Sequence, residues 1–311
     1  MKRRTMIACG IIALLFVLLI GRLIYFSIFK NGIYKRQVLS QQNYSSETLP
    51  YKRGDILDRD GNTLATSQKM YTLVLEPKNI LRSEEVQKST IDALHKYMKL
   101  DEDKLLKFIK RHKDSYYSVY REELSYSQIA DLKDFIASDK AENVSGIVFN
   151  EKYKRRYPNQ SLASQVIGFV SDGTIGTGGI EQYYNSTLSG VDGRKYKYLN
   201  EELEQDSSIV EPENGKTVVT TIDSNIQKLA EDQLSKFEKK YGSKGSSILV
   251  MNPNNGEIYA MANSTSYNLE SPRDDKNLLK KYSQSQVNKM SEKEKTKAFN
   301  EIWKNPCLLY T

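Results

Sequence analysis

Charge chemistry is concentrated in one short string. Arg53, Asp55, Asp58, Arg59 and Asp60 place five charges of both signs within eight residues, beside Gly54 and Gly61. Planar guanidinium forks that bridge carboxylates could knit such a string into a fixed loop. A solvated charged turn is the plainer reading of the same residues. Other chemistries find less to work with. Cys9 and Cys307 lie in an apolar segment and at the extreme C-terminus, and make no disulfide framework. His95 and His112 sit in charged helical stretches without ligand-like neighbours, so both are expected at the surface. There is no zinc spacing, no glycine loop followed by Lys-Ser/Thr and no basic–aromatic nucleic-acid module. No metal, cofactor or nucleic acid is therefore expected. Gly176-x-Gly178-Gly179 could suggest a phosphate loop, but no clear strand precedes it and no Lys-Ser/Thr follows. No Ser/His/Asp or Cys/His set is convincing as a nucleophile with its base.

The elements that must position these residues read as an α+β scaffold, not a βαβ dinucleotide fold. At 311 residues the chain can hold about two domains. Its 46 Lys and Arg against 39 Asp and Glu give +7, spread along the chain, which suits a surface near anionic lipid or anionic wall polymer. Lys2-Arg3-Arg4 precedes an apolar run at 6–29. As a helix that run spans roughly 36 Å, enough for a bilayer with some tilt. A cleavable signal peptide would have a shorter apolar core and a small-x-small site, so an uncleaved anchor with a cytoplasmic N-terminus is expected. Arg22, the one charge inside the run, either snorkels to the interface or meets a partner helix. A polar connector follows to residue 50.

Asp60-Gly61, between Ile56-Leu57 and Leu64-Ala65, predicts a hairpin with a two-residue turn. Residues 70–76 alternate as a strand ended by Pro77. Three amphipathic helices follow, opened by Ser83, by Asp101 and by the capping box Ser125-x-x-Gln128. Residues 143–150 return to strand character, and 162–170 read as a short helix with a turn at Gly168. The charged stretch 196–214 reads as a linker or surface ribbon. After a β-rich run at 215–223, one helical face carries Ile226, Leu229, Ala230, Leu234, Phe237 and Tyr241, and Gly242 ends that helix. Residues 247–251 and 257–262 form a second hairpin.

Several of these pieces are motifs in a consistent order. R-G-x-x-x-D-R-x-G-x-x-L-A runs from Arg53 to Ala65. Then come R-x-Y-P and a G-F-V turn, G-x-x-G-I-E ending at Glu181, and a Leu-x-Gly-x-x-Gly tail. T-x-D-x-x-I-Q-x-x-A-E and V-x-N-P-x-x-G-E-I-x-A-M-A close the series. Over roughly residues 1–305 this set resembles the class B penicillin-binding proteins, the monofunctional transpeptidases of bacterial wall synthesis. The resemblance implies a cytoplasmic tip and anchor at 1–30, a connector at 31–50, a pedestal or dimerisation domain at 51–195 and a linker at 196–214. The opening helix and strands of a transpeptidase domain follow at 215–305. It also implies a structural rather than chemical role for Arg53, Gly54, Asp58, Arg59 and Gly61, with Arg156, Gly179 and Glu181 packing against their hairpin.

The family acylates a serine with the terminal D-Ala-D-Ala of a wall stem peptide and passes the acyl group to a neighbouring amine. That chemistry needs Ser-x-x-Lys, an S-x-N loop and a K-[ST]-G strand. The one Ser-x-x-Lys is Ser27 to Lys30, at the membrane end of the anchor; the S-x-N candidate is Ser266-Tyr267-Asn268; K-[ST]-G is absent. No catalytic residue is therefore expected in the chain. Residues 299–305 read as the approach to the serine and 306–311 as a non-native tail, since 307–311 match one reading frame of a transposon-end sequencing adapter. With no glycosyltransferase domain before the hairpin, the bifunctional class A is disfavoured. By the resemblance, the full protein takes peptidoglycan stem peptides and β-lactams, and partners a SEDS-type glycosyltransferase and other wall-synthesis membrane proteins. A non-catalytic membrane-anchored scaffold regulating a glycosyltransferase is the alternative, and a Ser-x-x-Lys beyond Asn305 separates the two.

Overall fold

The computed structural model describes residues 15–16, 18–20, 45–171, 173–199, 205–243 and 245–308. The apolar run at 6–29, with Ser27 and Lys30, lies almost wholly outside the described residues, and among those described no helix is long and apolar enough to cross a membrane. In chain order the strands begin β1 (Ser45–Leu49), β2 (Ile56–Leu57), β3 (Thr63–Leu75), β4 (Ser118–Leu124), β5 (Ile147–Arg156) and β6 (Phe169–Ser171). They continue with β7 (Ile175–Thr177), β8 (Gly193–Leu199), β9 (Gln205–Val210), β10 (Val218–Val219), β11 (Ser247–Met251) and β12 (Ile258–Asn263). The helices are α1 (Pro77–Ile80), α2 (Glu84–Met98), α3 (Glu102–Arg111), α4 (Tyr126–Ile136) and α5 (Ser164–Ile167). After them come α6 (Gly179–Tyr183), α7 (Asn185–Leu188), α8 (Ser224–Tyr241), α9 (Gln284–Lys289) and α10 (Glu292–Trp303).

The chain divides into two compact units, 1–49 with 193–211 and 50–192 with 212–311. In the first, β1, β8 and β9 form an antiparallel sheet with β8 in the middle. Most of the β8–β9 hairpin therefore lies in 196–214, the stretch expected to be a linker. Tyr196 and Tyr198 alternate there with Lys195 and Lys197, a period-2 pattern that the density of charge conceals.

The second unit is built on β3. Along one side it pairs with β5 from Thr66↔Arg156 to Leu75↔Ile147; along the other it meets β2 and then β4. Because strand side chains alternate, Tyr71, Leu73 and Leu75 face one way. They join Ile91, Leu94, Leu105, Ile109, Ile129 and Leu132 of α2, α3 and α4 in a single core. The expected caps hold those helices: Ser83 Oγ accepts from Val86 N at 3.2 Å, Asp101 Oδ1 from Lys104 N at 2.9 Å and Gln128 Oε1 from Ser125 N at 2.8 Å.

The first hairpin differs from expectation. Asp58 N donates to Asn62 O at 2.9 Å, leaving a three-residue loop of Arg59, Asp60 and Gly61, with Gly61 at φ +86°. A turn followed by a left-handed glycine is the usual three-residue hairpin loop. Asp58 caps it from within, which a reading centred on Asp60-Gly61 does not anticipate.

A second core ignores the expected boundary near 196–214. Ile56, Leu64, Ala163, Phe169 and Leu188 pack with Tyr267, Leu269, Leu278, Phe299 and Ile302. On α8, Ala230 and Leu234 are buried against Ala260 and Ala262 of β12. Leu229, Phe237 and Tyr241, expected on the same buried face, are exposed, because the small β12 side chains admit only a narrow helical stripe.

Candidate functional site

The string at 53–61 does not form a lattice of its own. Arg53, Asp58 and Arg59 reach outward to partners far along the chain, and the best buried of these junctions is centred on Glu181. That carboxylate, at the start of α6, has no solvent exposure. Arg53 Nε donates to Glu181 Oε2 at 2.8 Å, and Arg155 Nε donates to Oε1 at 2.7 Å. Arg53 also donates to the Glu181 carbonyl, to Ser189 Oγ at 2.8 Å and to Thr174 O at 3.3 Å. Arg155 Nη1 donates to Gly54 O at 2.8 Å and to Ser67 Oγ at 3.1 Å. One carboxylate thus ties β5, α6 and the loop before β2 into a single joint. Burial, then the Glu181 carboxylate, holds the adjoining Tyr157 phenol well above its ordinary pKa.

Arg156, assigned to this joint from the sequence, is not in it. β5 alternates, so Arg155 faces the hairpin while Arg156 faces away. Arg156 Nη1 instead donates to Glu270 Oε2 at 3.2 Å, and Tyr157 N donates to Glu270 Oε1 at 2.6 Å. The first arginine of R-x-Y-P was the available signal for Arg155; nothing local marked Glu270. Gly179 also misses the hairpin. It sits at φ +49°, and a Cβ there would lie 2.2 Å from Val166 O, so it closes α6 against α5.

Asp58 and Arg59 reach the other way, toward α8 and the second hairpin. Asp58 Oδ2 accepts from Ser224 Oγ at 2.6 Å and from Asn62 Nδ2 at 2.9 Å, while Oδ1 accepts from the Asp60 and Asn62 amides. The Arg59 guanidinium lies 4.4 Å from the ring centre of Tyr259 on β12. Asp55 pairs with Lys52 at 3.0 Å and accepts from Thr66 Oγ1 at 2.7 Å.

Gly54 completes the site by letting three backbones touch. Its N–H donates to Leu188 O at 2.8 Å, Gly215 N donates to Lys52 O and Lys216 N to Thr187 O. A Cβ on Gly54 would stand 1.9 Å from Lys216 O, and one on Gly215 would stand 1.8 Å from Leu188 O. Beyond this crossing, β10 adds to β2 in parallel, Val218 opposite Ile56.

Of Ser266-Tyr267-Asn268, the S-x-N candidate, only Tyr267 is built into the core, with Ser266 and Asn268 half-buried on either side. Tyr267 is fully buried, with its hydroxyl donating to Ser164 O at 3.0 Å, and Asn268 N donates to Asn277 Oδ1. Ser266 Oγ accepts from Lys280 Nζ at 2.7 Å. Among the described residues no group of three His, Cys, Asp or Glu side chains is placed to hold a metal ion. Most of the charge in this site is spent internally, Arg155 Nη2 being the one buried polar side-chain atom without a hydrogen-bond partner among the described residues, and the arrangement fixes loops.

Asp58 gives the site a pH signature. Burial pushes its carboxyl up, but hydrogen bonds from Ser224, Asn62 and the Asn62 and Asp60 amides outweigh that and hold it at about 2, against an ordinary 3.8. A depressed folded-state pKa adds stability that is present above the ordinary value and lost as pH falls through the folded one. Chemical denaturation of wild type and Asp58→Asn should therefore differ at pH 5–7 and converge as pH falls from about 4 toward 2. A constant difference down to pH 2 would remove the assignment.

Comparison with known proteins gives this geometry its context. The penicillin-binding protein dimerisation domain matches residues 48–220, so it spans every residue of the Glu181 joint. Stage V sporulation protein D of Bacillus subtilis is 28% identical over 266 residues, 80% of this chain and 39% of the relative. The probable peptidoglycan D,D-transpeptidase PenA of Neisseria meningitidis is 28% identical over 267 residues, covering 84% and 44%. The peptidoglycan D,D-transpeptidase FtsI of Escherichia coli K12 is 25% identical over 272 residues, covering 85% and 44%. The chain thus spans about two fifths of the length of these curated relatives. Among solved structures, penicillin binding protein 2X of Streptococcus thermophilus superposes with a TM-score of 0.61 at 25% identity, over 73% of this chain and 36% of that one.

Proposed function

The chain belongs to the penicillin-binding protein family that carries this dimerisation domain, and from that premise we propose that its parent protein is a class B peptidoglycan D,D-transpeptidase. One observation carries the reading. Relatives named as transpeptidases align along 84–85% of the chain, which takes the likeness beyond the 48–220 match.

In this reading the parent protein acylates a serine with a stem peptide, releasing the terminal D-alanine, and an amine of a neighbouring stem resolves the ester. β-Lactams trap the same serine. The serine and its lysine belong to a part of the parent protein outside the residues described here. What this chain contributes is placement. Arg53, Glu181 and Arg155 lock the hairpin to the pedestal, while Asp58 with Ser224 and Arg59 with Tyr259 carry that fixed hairpin onto α8 and β12. Residues 6–29 act as a single membrane anchor with the N-terminus cytoplasmic and the body outside. A SEDS-type glycosyltransferase and other wall-synthesis membrane proteins are the partners.

Fluorescent penicillin tests the activity. Membranes holding the complete gene product should show a labelled band that survives denaturation and is blocked by prior unlabelled penicillin. A folded, unlabelled product would sink the catalytic reading and leave a membrane-tethered scaffold.

A further inference from the structure

Three consecutive residues at the start of α5 reach three separate segments beyond residue 220, where the dimerisation-domain match ends. Ala163, Ser164 and Gln165 are all buried. Ala163 N donates to Glu231 Oε1 of α8 at 2.8 Å. Ser164 Oγ accepts from Tyr267 N at 3.2 Å, and its carbonyl accepts from the Tyr267 hydroxyl at 3.0 Å. Gln165 Nε2 donates to Thr265 O and to Ile302 O, both at 2.8 Å. Ile302 lies in the last turn of α10, where carbonyls find no donor within their own helix. A side chain 137 positions away therefore closes that helix end. Ala163 sits at φ +51°, a left-handed conformation that a residue with a Cβ keeps only where its surroundings impose it.

The other end of the same turn is bound to the Glu181 joint. A Cβ on Gly179 would lie 2.2 Å from Val166 O, and one on Gly168 would lie 2.1 Å from Gly178 O. The end of α5 and the start of α6 thus touch backbone to backbone. Two residues past Gly179, Glu181 is fixed by Arg53 and Arg155. Joint, α6, α5 and the end of α10 form one contiguous line of close-packed backbone and buried hydrogen bonds, the material that holds distant elements in register. Just past α10, buried Asn305 is tied to β12, since Asn263 Nδ2 donates to its Oδ1 at 3.2 Å.

We infer that Gln165 is a positioning residue for the acylation step. Through Ile302 O it sets where α10 ends, and so where the segment that follows delivers the serine. The inference rests on the transpeptidase reading, in which residues 299–305 are the approach to that serine. Gln165 touches no reacting atom; it acts through the α10 carbonyl alone.

Acylation rate constants of the complete gene product test this, because the rate at which a folded fraction is labelled does not depend on how large that fraction is. In labelling by a fluorescent penicillin, the serine oxygen bonds to the lactam carbonyl carbon. The ring C–N bond opens and the hydroxyl proton ends on that nitrogen. Gln165→Met has a similar volume and removes both donors. Its limiting acylation rate should fall about 10- to 100-fold, the effect of misplacing a reacting group by roughly 1 Å, with the half-saturating penicillin concentration nearly unchanged. Gln165→Glu keeps the shape. As a carboxylate facing two carbonyls it donates nothing, and burial raises its pKa. Relative to wild type, its rate should be low at pH about 8 and recover toward pH about 5, as protonation restores one donor. A packing role alone would leave that ratio flat. If Gln165→Met yields no folded protein, the Gln165→Glu profile decides alone. A wild-type rate in Gln165→Met, or a flat Gln165→Glu ratio, would overturn the inference and leave the transpeptidase reading intact. A folded wild type that penicillin does not label removes that reading, and the inference with it.

Discussion

Glu181→Gln lowers the melting temperature of the protein by roughly 6–20 °C. The amide keeps the shape of the carboxylate but brings an NH2 group to one of two buried guanidiniums and no charge to either. Breaking a buried pair by removing one partner costs about 3–5 kcal/mol, and each kcal/mol moves the midpoint of a domain of this size by about 2–4 °C. The loss should be nearly the same in 50 mM and 500 mM salt, because a pair this buried is little screened. Replacing the whole triad by Arg53→Met, Glu181→Leu and Arg155→Met should recover part of the loss, since an apolar substitute leaves no charge stranded. Thermal unfolding of the single and triple variants decides the matter. A Glu181→Gln midpoint within 1 °C of wild type would mean that the joint contributes no stability.

Gly215→Ala is expected to cost about 3 kcal/mol, the upper end for forcing extra atoms into a packed site. The obstacle is backbone, since the new methyl would stand 1.8 Å from Leu188 O, beside the crossing of the 52–54 and 187–188 segments. No rotamer relieves it. Gly61→Ala is the control. Its φ of +86° makes any side chain unfavourable, yet nothing lies within 4 Å of the added carbon, so a cost of roughly 1–2 kcal/mol is expected. Urea titration of both variants should rank Gly215→Ala well below Gly61→Ala. The reverse order would mean that the crossing yields easily.

Much of this architecture was legible in the residues. Ser83, Asp101, Ser125 and Gly242 each end or begin a helix as their types dictate, because capping is chemistry between near neighbours. The pairing of Arg53 with Glu181 was readable only through motif order, being a contact across 128 positions. What failed did so for physical reasons. The sequence points to Arg156 rather than Arg155 because adjacent residues of a strand point to opposite faces, and motif spacing carries no information about which face is which. Glu270 and Ser224 left no local signal, since each acts on a partner more than 110 residues away. The supposed division near 196–214 does not interrupt the core of the second unit, which Ile56 and Tyr267 share.

The parallel pairing of β10 with β2 also imposes a schedule on the chain's assembly. Val218 lies opposite Ile56, so that contact closes a loop of 162 residues, at an entropic cost on the order of 4–5 kcal/mol. At synthesis rates of roughly 5–20 residues per second, some 8–30 s separate the appearance of the two strands. The layer of β3, β4 and α2 to α4 has its partners within 75 residues and can condense meanwhile. During that interval β2 presents an unpaired edge to any passing strand. The short length of β2, only two residues, limits what it can recruit before its own partner arrives.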